Sequence, residues 1–228
     1  MKHAGKATQA ALRLIYWGLF FLLALMLAGV LAKLLGDVIG HVAGALTGLW
    51  CLFAGFCLYF FRDPDPAVPS AKEAIVAPAH GKVDVIDEVE EKDFIGGRCR
   101  RVSIFLSVFD VHVQRSPIAG RLTHHKHTPG QFVNAMRTDA GDFNENVLLG
   151  FESAERPGEK LAIRLIAGLI ARRIIVWTAT GESVGRGERV SLIRFGSRCD
   201  VLLPLDCEVA VQLGQAVRGG ETILARRR

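Results

Sequence analysis

No two of the five cysteines of this 228-residue chain (Cys51, Cys57, Cys99, Cys199, Cys207) form a CxxC pair or stand at the Cys/His spacing of a zinc site, and two of them lie inside apolar runs. That pattern excludes a disulfide framework and a structural metal, and it fits a reducing compartment. The chain also lacks any interleaving of basic with aromatic residues. Its formal charge of +5 and pI near 9.1 come from scattered lysines and arginines with no recognition motif, so a nucleic-acid partner is not expected. An anionic membrane surface is the better match for that charge.

What the chain has in excess is apolar length. Half of its residues are hydrophobic and its mean hydropathy is +0.28, which is high for a wholly soluble protein. Leu14 to Ala32 is 19 residues without a charge, and Val42 to Phe61 is a second such run of 20. Either can cross a hydrocarbon core. A signal peptide competes for the first run, but the run is long for that and the second follows almost at once. Both are apolar on every face, unlike the one-sided stripe of a globular core helix. The expectation is a transmembrane helical hairpin over residues 1–62. Lys2, Lys6, Arg13 and Arg62 flank one side of the spans, while the loop Lys33 to His41 carries only Lys33, offset by Asp37; both termini should therefore be cytoplasmic. Arg62-Asp63-Pro64-Asp65-Pro66 then ends the helix, because proline lacks an amide donor and restricts its predecessor. The second domain is expected over 63–228.

From Ile75 the pattern becomes short β-rich runs divided by Gly and Pro: Lys82–Ile86, Arg101–Leu106, Val111–Gln114, Leu161–Leu165, Arg173–Thr178, Val190–Ile193, Val201–Leu203, Val209–Leu213 and Thr222–Ala225. Ile166 to Arg172 reads equally as a short helix or more strand. Two segments, Pro78-Ala79-His80-Gly81-Lys82-Val83 and Pro117-Ile118-Ala119-Gly120-Arg121-Leu122, share a P-x-x-G-[KR]-[VL] pattern. Gly181–Glu188 and Gly214–Glu221 match in the same way, which sets Val184 against Val217. Duplicated hairpins of this kind predict an all-β barrel-sandwich resembling biotinyl and lipoyl carrier domains. A carrier function does not follow, since it needs a lysine at a hairpin tip in a short methionine-flanked motif, and Met1, Met26 and Met136 form no such motif.

Near the C-terminus stands Arg194-Phe195-Gly196-Ser197-Arg198-Cys199-Asp200. A bent Gly-Ser bond lets the serine oxygen reach the preceding carbonyl, because glycine has no Cβ in the way. The resulting ester can eliminate to dehydroalanine, and hydrolysis then yields an N-terminal pyruvoyl group. This stretch resembles the processing motif of the phosphatidylserine decarboxylase family. Further segments carry the same resemblance: Phe61-Arg62-Asp63-Pro64, Ala77-Pro78-Ala79-His80-Gly81-Lys82-Val83, Phe105 to Pro117, Asn144-Glu145-Asn146 and Ile170 to Ile174. The two-span hairpin and short length are similar to the compact bacterial form.

The resemblance implies a proenzyme cleaved between Gly196 and Ser197 into a β chain, 1–196, and an α chain, 197–228, with a pyruvoyl cofactor derived from Ser197. It implies that this group forms a Schiff base with the amine of phosphatidylserine, that carbon dioxide leaves, and that phosphatidylethanolamine is the product. His112 would handle the proton. His80 stands where the family has an Asp that serves self-cleavage; its imidazole can accept a proton but lacks the same charge. An uncleaved, catalytically silent lipid-binding homologue arrested by His80 is the alternative. Arg115 occupies the place of a second His found in some members. The partners implied are the lipid substrate, the membrane and the two chains of one precursor, a homodimer also being compatible; the location implied is the cytoplasmic side of a bacterial inner membrane. No metal is expected: His124, His125 and His127 read as a solvated loop, Cys199 as a buried strand cysteine, and Arg226-Arg227-Arg228 as a solvated tail that adds attraction to anionic lipid.

Overall fold

The computed structural model describes residues 5–33, 37–131, 143–168, 173–194 and 197–228. It divides into two compact units, Gly5–Asp63 and Pro64–Arg228. In the first, α1 (Lys6–Ala32) and α2 (Asp37–Phe60) are both long and apolar enough to cross a membrane. At 1.5 Å per residue each exceeds a hydrocarbon core of about 30 Å. The indole of Trp50 of α2 packs against Gly18 of α1, where a Cβ would meet the indole nitrogen at 2.1 Å. A small residue there lets the two helices approach closely.

The second unit is β-rich. Its strands are β1 (Ala74–Val76), β2 (Gly81–Glu91), β3 (Gly97–Leu106), β4 (Val113–Arg115), β5 (Gly120–Thr128), β6 (Asn146–Ser153), β7 (Lys160–Ala167), β8 (Ile174–Val176), β9 (Ser183–Val184), β10 (Arg189–Ile193), β11 (Ser197–Leu203), β12 (Glu208–Val209), β13 (Ala216–Val217) and β14 (Ile223–Arg226). One eight-stranded sheet runs β13-β2-β3-β11-β7-β6-β5-β9, and two three-stranded sheets run β1-β14-β12 and β4-β10-β8. The order is symmetric about the β11/β7 pair, and the small sheets correspond strand for strand.

The duplicated sequence patterns sit at matching places in this symmetry. Gly81 and Lys82 pair with Val217 and Ala216; Gly120 and Arg121 pair with Val184 and Ser183. Val83 N–H donates to Gln215 O and Gly214 N–H to Val83 O, while Leu122 N–H donates to Glu182 O and Gly181 N–H to Leu122 O. The repeated glycine has a steric cause. A Cβ on Gly81 would fall 2.1 Å from Phe105 O, and one on Gly120 2.3 Å from Glu152 O. Each strand can enter its hairpin only without a side chain at that step.

One face of the large sheet buries Val83, Ile104, Leu122, Phe151, Ile163 and Val201 in a single core shared with residues of the small sheets such as Ile75, Val190 and Leu224. Burying each such side chain stabilises by about 1.5–3 kcal/mol relative to exposure. On the opposite face Cys99, Leu148, Ala162 and Leu202 form a smaller cluster beneath Val89, Phe94 and Ile95.

Several sequence expectations need correction. The histidines 124, 125 and 127 lie on β5, not on a loop. There His127 Nε2 stands 3.2 Å from Glu145 Oε1, and burial, with His127 and His124 adding their charges, holds His125 below the usual imidazole range. The polar content of β5 masks a strand whose partner β6 is almost wholly buried. Arg227 is no solvated tail: its side chain is 1% exposed and paired with Glu155 and Glu159. β7 extends to Ala167, while 169–172, the rest of the stretch that reads as helix or strand, lie outside the described residues.

Candidate active site at the start of strand β11

Ser197 opens β11, a central strand whose seven side chains are all buried. It pairs with Leu106 of β3 on one side and Ala167 of β7 on the other. By alternation Ser197, Cys199, Val201 and Leu203 share one face, and the last three belong to the main core. The Ser197 hydroxyl is fully buried with no hydrogen-bond partner among the described residues. A buried hydroxyl left unpaired costs roughly 1–3 kcal/mol, so such an atom calls for a reason other than stability. Gly196, the other half of the expected cleavage bond, lies outside the described residues, as does Phe195.

Burial pushes the Cys199 thiol well above its ordinary value, with the Asp200 charge acting in the same direction. A protonated, enclosed thiol is no nucleophile. The opposite face of β11 carries charge. Arg198, 1% exposed, makes a bidentate pair with Asp84, Nη1–Oδ1 at 3.2 Å and Nη2–Oδ2 at 2.6 Å. Burial pushes the Asp84 carboxyl up against the pull of that guanidinium. Asp200 is likewise raised by burial, with Arg101 4.0 Å away opposing.

His112 does not sit on a strand, although the run Val111–Gln114 reads as one: β4 begins only at Val113, and Val111, His112 and Val113 are all buried, with no alternation between two faces. What holds it is a closed turn in which Ser107 N–H donates to Asp110 Oδ2 at 2.8 Å and Asp110 N–H to Ser107 O. His112 Nδ1 stands 2.9 Å from Asp110 O. A carbonyl only accepts, so Nδ1 carries the proton and Nε2 is the basic nitrogen of the neutral ring. The His112 carbonyl accepts from Ile193 N–H at 3.2 Å and from Gln114 Nε2 at 2.8 Å. Ser191 Oγ in turn donates to Gln114 Oε1 at 3.0 Å. This buried polar chain, invisible in the sequence, ties His112 to β10 four residues before Ser197.

His80 precedes Gly81, and the register row Lys82–Phe105–Arg198, next to Ser197, crosses β2, β3 and β11. With strands about 4.8 Å apart, that row sets the backbone of Lys82, two residues from His80, within roughly 10 Å of Arg198. His80 Nδ1 accepts from Gly219 N–H at 3.2 Å, which leaves the ring proton on Nε2. A Cβ at Gly219 would lie 3.1 Å from that Nδ1, a crowded contact that glycine avoids. Arg115 is fully buried and donates to Gly187 O at 3.1 Å and Pro64 O at 2.7 Å. Its guanidinium holds the start of this unit in place, a different task from that of a relay histidine.

The phosphatidylserine decarboxylase family model matches residues 53–225. A phosphatidylserine decarboxylase proenzyme of Desulfotalea psychrophila is 45% identical over 181 residues, covering 79% of this chain and 84% of that protein. Proenzymes of the same description from Symbiobacterium thermophilum, 44% identical over 182 residues (80% and 84%), and Magnetococcus marinus, 45% identical over 178 residues (78% and 80%), are similar. With most of both lengths matched and the glycine-serine bond set before a central buried strand, the chain belongs to the phosphatidylserine decarboxylase family.

Proposed function

We propose that this chain is a membrane-anchored proenzyme that cleaves its own Gly196–Ser197 bond and then decarboxylates phosphatidylserine to phosphatidylethanolamine. The observation that carries the reading is the buried, unpartnered Ser197 hydroxyl at the first position of β11. In this scheme Ser197 Oγ attacks the Gly196 carbonyl, the C–N bond breaks, and the freed nitrogen takes the hydroxyl proton. Loss of the Ser197 α-proton expels the Gly196 carboxylate, and water then replaces the nitrogen, releasing ammonia.

The pyruvoyl group so formed at position 197 supplies a carbonyl that condenses with an amine and draws in the electrons left when carbon dioxide departs. The residues around it fit that use. The site is buried, and strands on both sides fix its position before reaction. His112, with Nδ1–H anchored on Asp110 O, offers Nε2 as the atom that holds and returns a proton. His80, with Nδ1 occupied by Gly219, carries its ring proton on Nε2 and serves self-cleavage by orienting an oxygen.

The symmetric strand order supports the barrel-sandwich description, with domains 1–62 and 63–228. The two apolar helices support a membrane anchor that keeps the site near its substrate. The basic flanks favour a cytoplasmic catalytic domain in a bacterial inner membrane. Intact mass of the purified protein tests the whole reading. We expect a C-terminal fragment of roughly 3.5 kDa at about 110 Da per residue, carrying a borohydride-trapped substrate adduct, and a single 24.9 kDa chain for Ser197→Ala. An adduct on a lysine of the larger fragment would refute it.

A further inference from the structure

Two arginines near the site, Arg173 and Arg194, have no carboxylate partner among the described residues. In the antiparallel β8–β10 pair Leu192 faces Ile175 and Ile193 faces Ile174; one further step sets Arg194 opposite Arg173. Like charges directly opposed across two strands repel. Among the described residues neither arginine makes an ion pair, and the Arg194 Nε is buried with no hydrogen-bond partner. Burial, reinforced by the Arg173 charge, pulls Arg194 below the usual guanidinium range. The rest of this strand treats its cations differently: Arg189, at its other end, is paired with Asp65 at 2.7 Å.

The placement ties the pair to the chemistry. The backbone of Ile193 is bonded to that of His112, and Arg194 is three residues from Ser197, a reach of at most about 10 Å. We infer that Arg194 and Arg173 bind the phosphodiester of the lipid headgroup, which rests on the decarboxylase reading above. The substrate offers two anions, a phosphodiester and a carboxylate. A guanidinium on the carboxylate would stabilise the ground state and lose its partner as carbon dioxide leaves, which slows the step. A guanidinium on the phosphodiester keeps its partner throughout and holds the amine and carboxylate at a fixed offset. Guanidinium planes match phosphate oxygens two at a time, and a phosphate between two of them removes their mutual repulsion. The pair would thus read the phosphate by which this substrate differs from free serine.

The test uses the matured full-length protein in neutral detergent. Carbon dioxide release is measured from monomeric dihexanoylphosphatidylserine and from O-hexylserine, which keeps the amine and carboxylate but has no phosphate. We expect Arg194→Gln and Arg173→Gln each to lower kcat/KM for the phospholipid by about 10- to 100-fold, chiefly through KM, the scale of one charge-assisted hydrogen bond. The preference over O-hexylserine should shrink by the same factor. An equal loss on both substrates would mean that the arginines only shape the fold. A loss seen on phosphatidylserine vesicles and not on monomers would mean that they attract an anionic surface; either result overturns the inference. If Arg194→Gln fails to mature, inhibition of the wild type by glycerol phosphate decides: it should be competitive and weaker in Arg173→Gln, and its absence refutes the site. A wild type that releases no carbon dioxide tells against the decarboxylase reading itself, and calorimetric binding of the two substrates then still tests the arginines.

Discussion

Arg227 offers the most direct measure of what holds the C-terminal segment in place. Its Nη1 lies 2.6 Å from Glu155 Oε2, its Nη2 2.9 Å from Glu159 Oε2, and it also donates to Lys72 O. The Arg227 side chain is 1% exposed, against 10% for Glu159 and 26% for Glu155. If the chain is cut before Ser197, these contacts cross from one fragment to the other. Breaking a buried ion pair costs about 3–5 kcal/mol. Here the lower end applies, because Glu155 is partly solvated and keeps Arg186 at 2.7 Å. A loss of about 3 kcal/mol in a unit of this size lowers Tm by about 6–12 °C. The assay is thermal unfolding of Arg227→Met by near-UV circular dichroism, in a Ser197→Ala background so that one species is present. A drop below about 2 °C would refute the argument. The acid side gives a second reading. Burial alone would raise the Glu155 carboxyl, but hydrogen bonds from Arg227 and Arg186 outweigh it and hold the group below its ordinary value. A depressed folded-state pKa contributes stability above the unfolded value of about 4.3 and loses it as pH falls through the folded one. The wild type should therefore lose Tm as pH falls from about 5 to 3, and Arg227→Met should lose less.

His80→Ala should slow cleavage at position 197 by about 10²–10⁴-fold, the usual contribution of an acid–base or orienting group, while His80→Asp should still cleave; equal time courses for both variants and the wild type on a denaturing gel would remove position 80 from the reaction. A reporter fused after Arg228 should be active only in the cytoplasm, because the basic residues flank that side of both spans; periplasmic activity would reverse the orientation.

Much of the architecture is legible without coordinates because it rests on short-range rules. Two uncharged runs of 19 and 20 residues, about the length that spans a bilayer's core, read as long apolar helices. The P-x-x-G pattern marks both hairpin entries because each glycine passes within contact of a neighbouring carbonyl. Strands β5 and β6 escape notice: a polar strand such as Gly120–Thr128 has no alternation to betray it, and its pairing with β6 depends on residues far off in the chain. The Gly196–Ser197 bond is likewise readable as chemistry, since glycine and serine side by side suffice to suggest it. Only tertiary structure decides the setting of that bond. Register across β2, β3 and β11 buries the serine hydroxyl and sets Lys82, two residues from His80, in the row of Arg198 beside it. The turn at Asp110 fixes which nitrogen of His112 is basic. The sequence alone leaves Arg194 and Arg227 as two arginines among many; one ends opposite another cation and the other between two glutamates, because long-range strand pairing, not local propensity, chooses the neighbours of a charge.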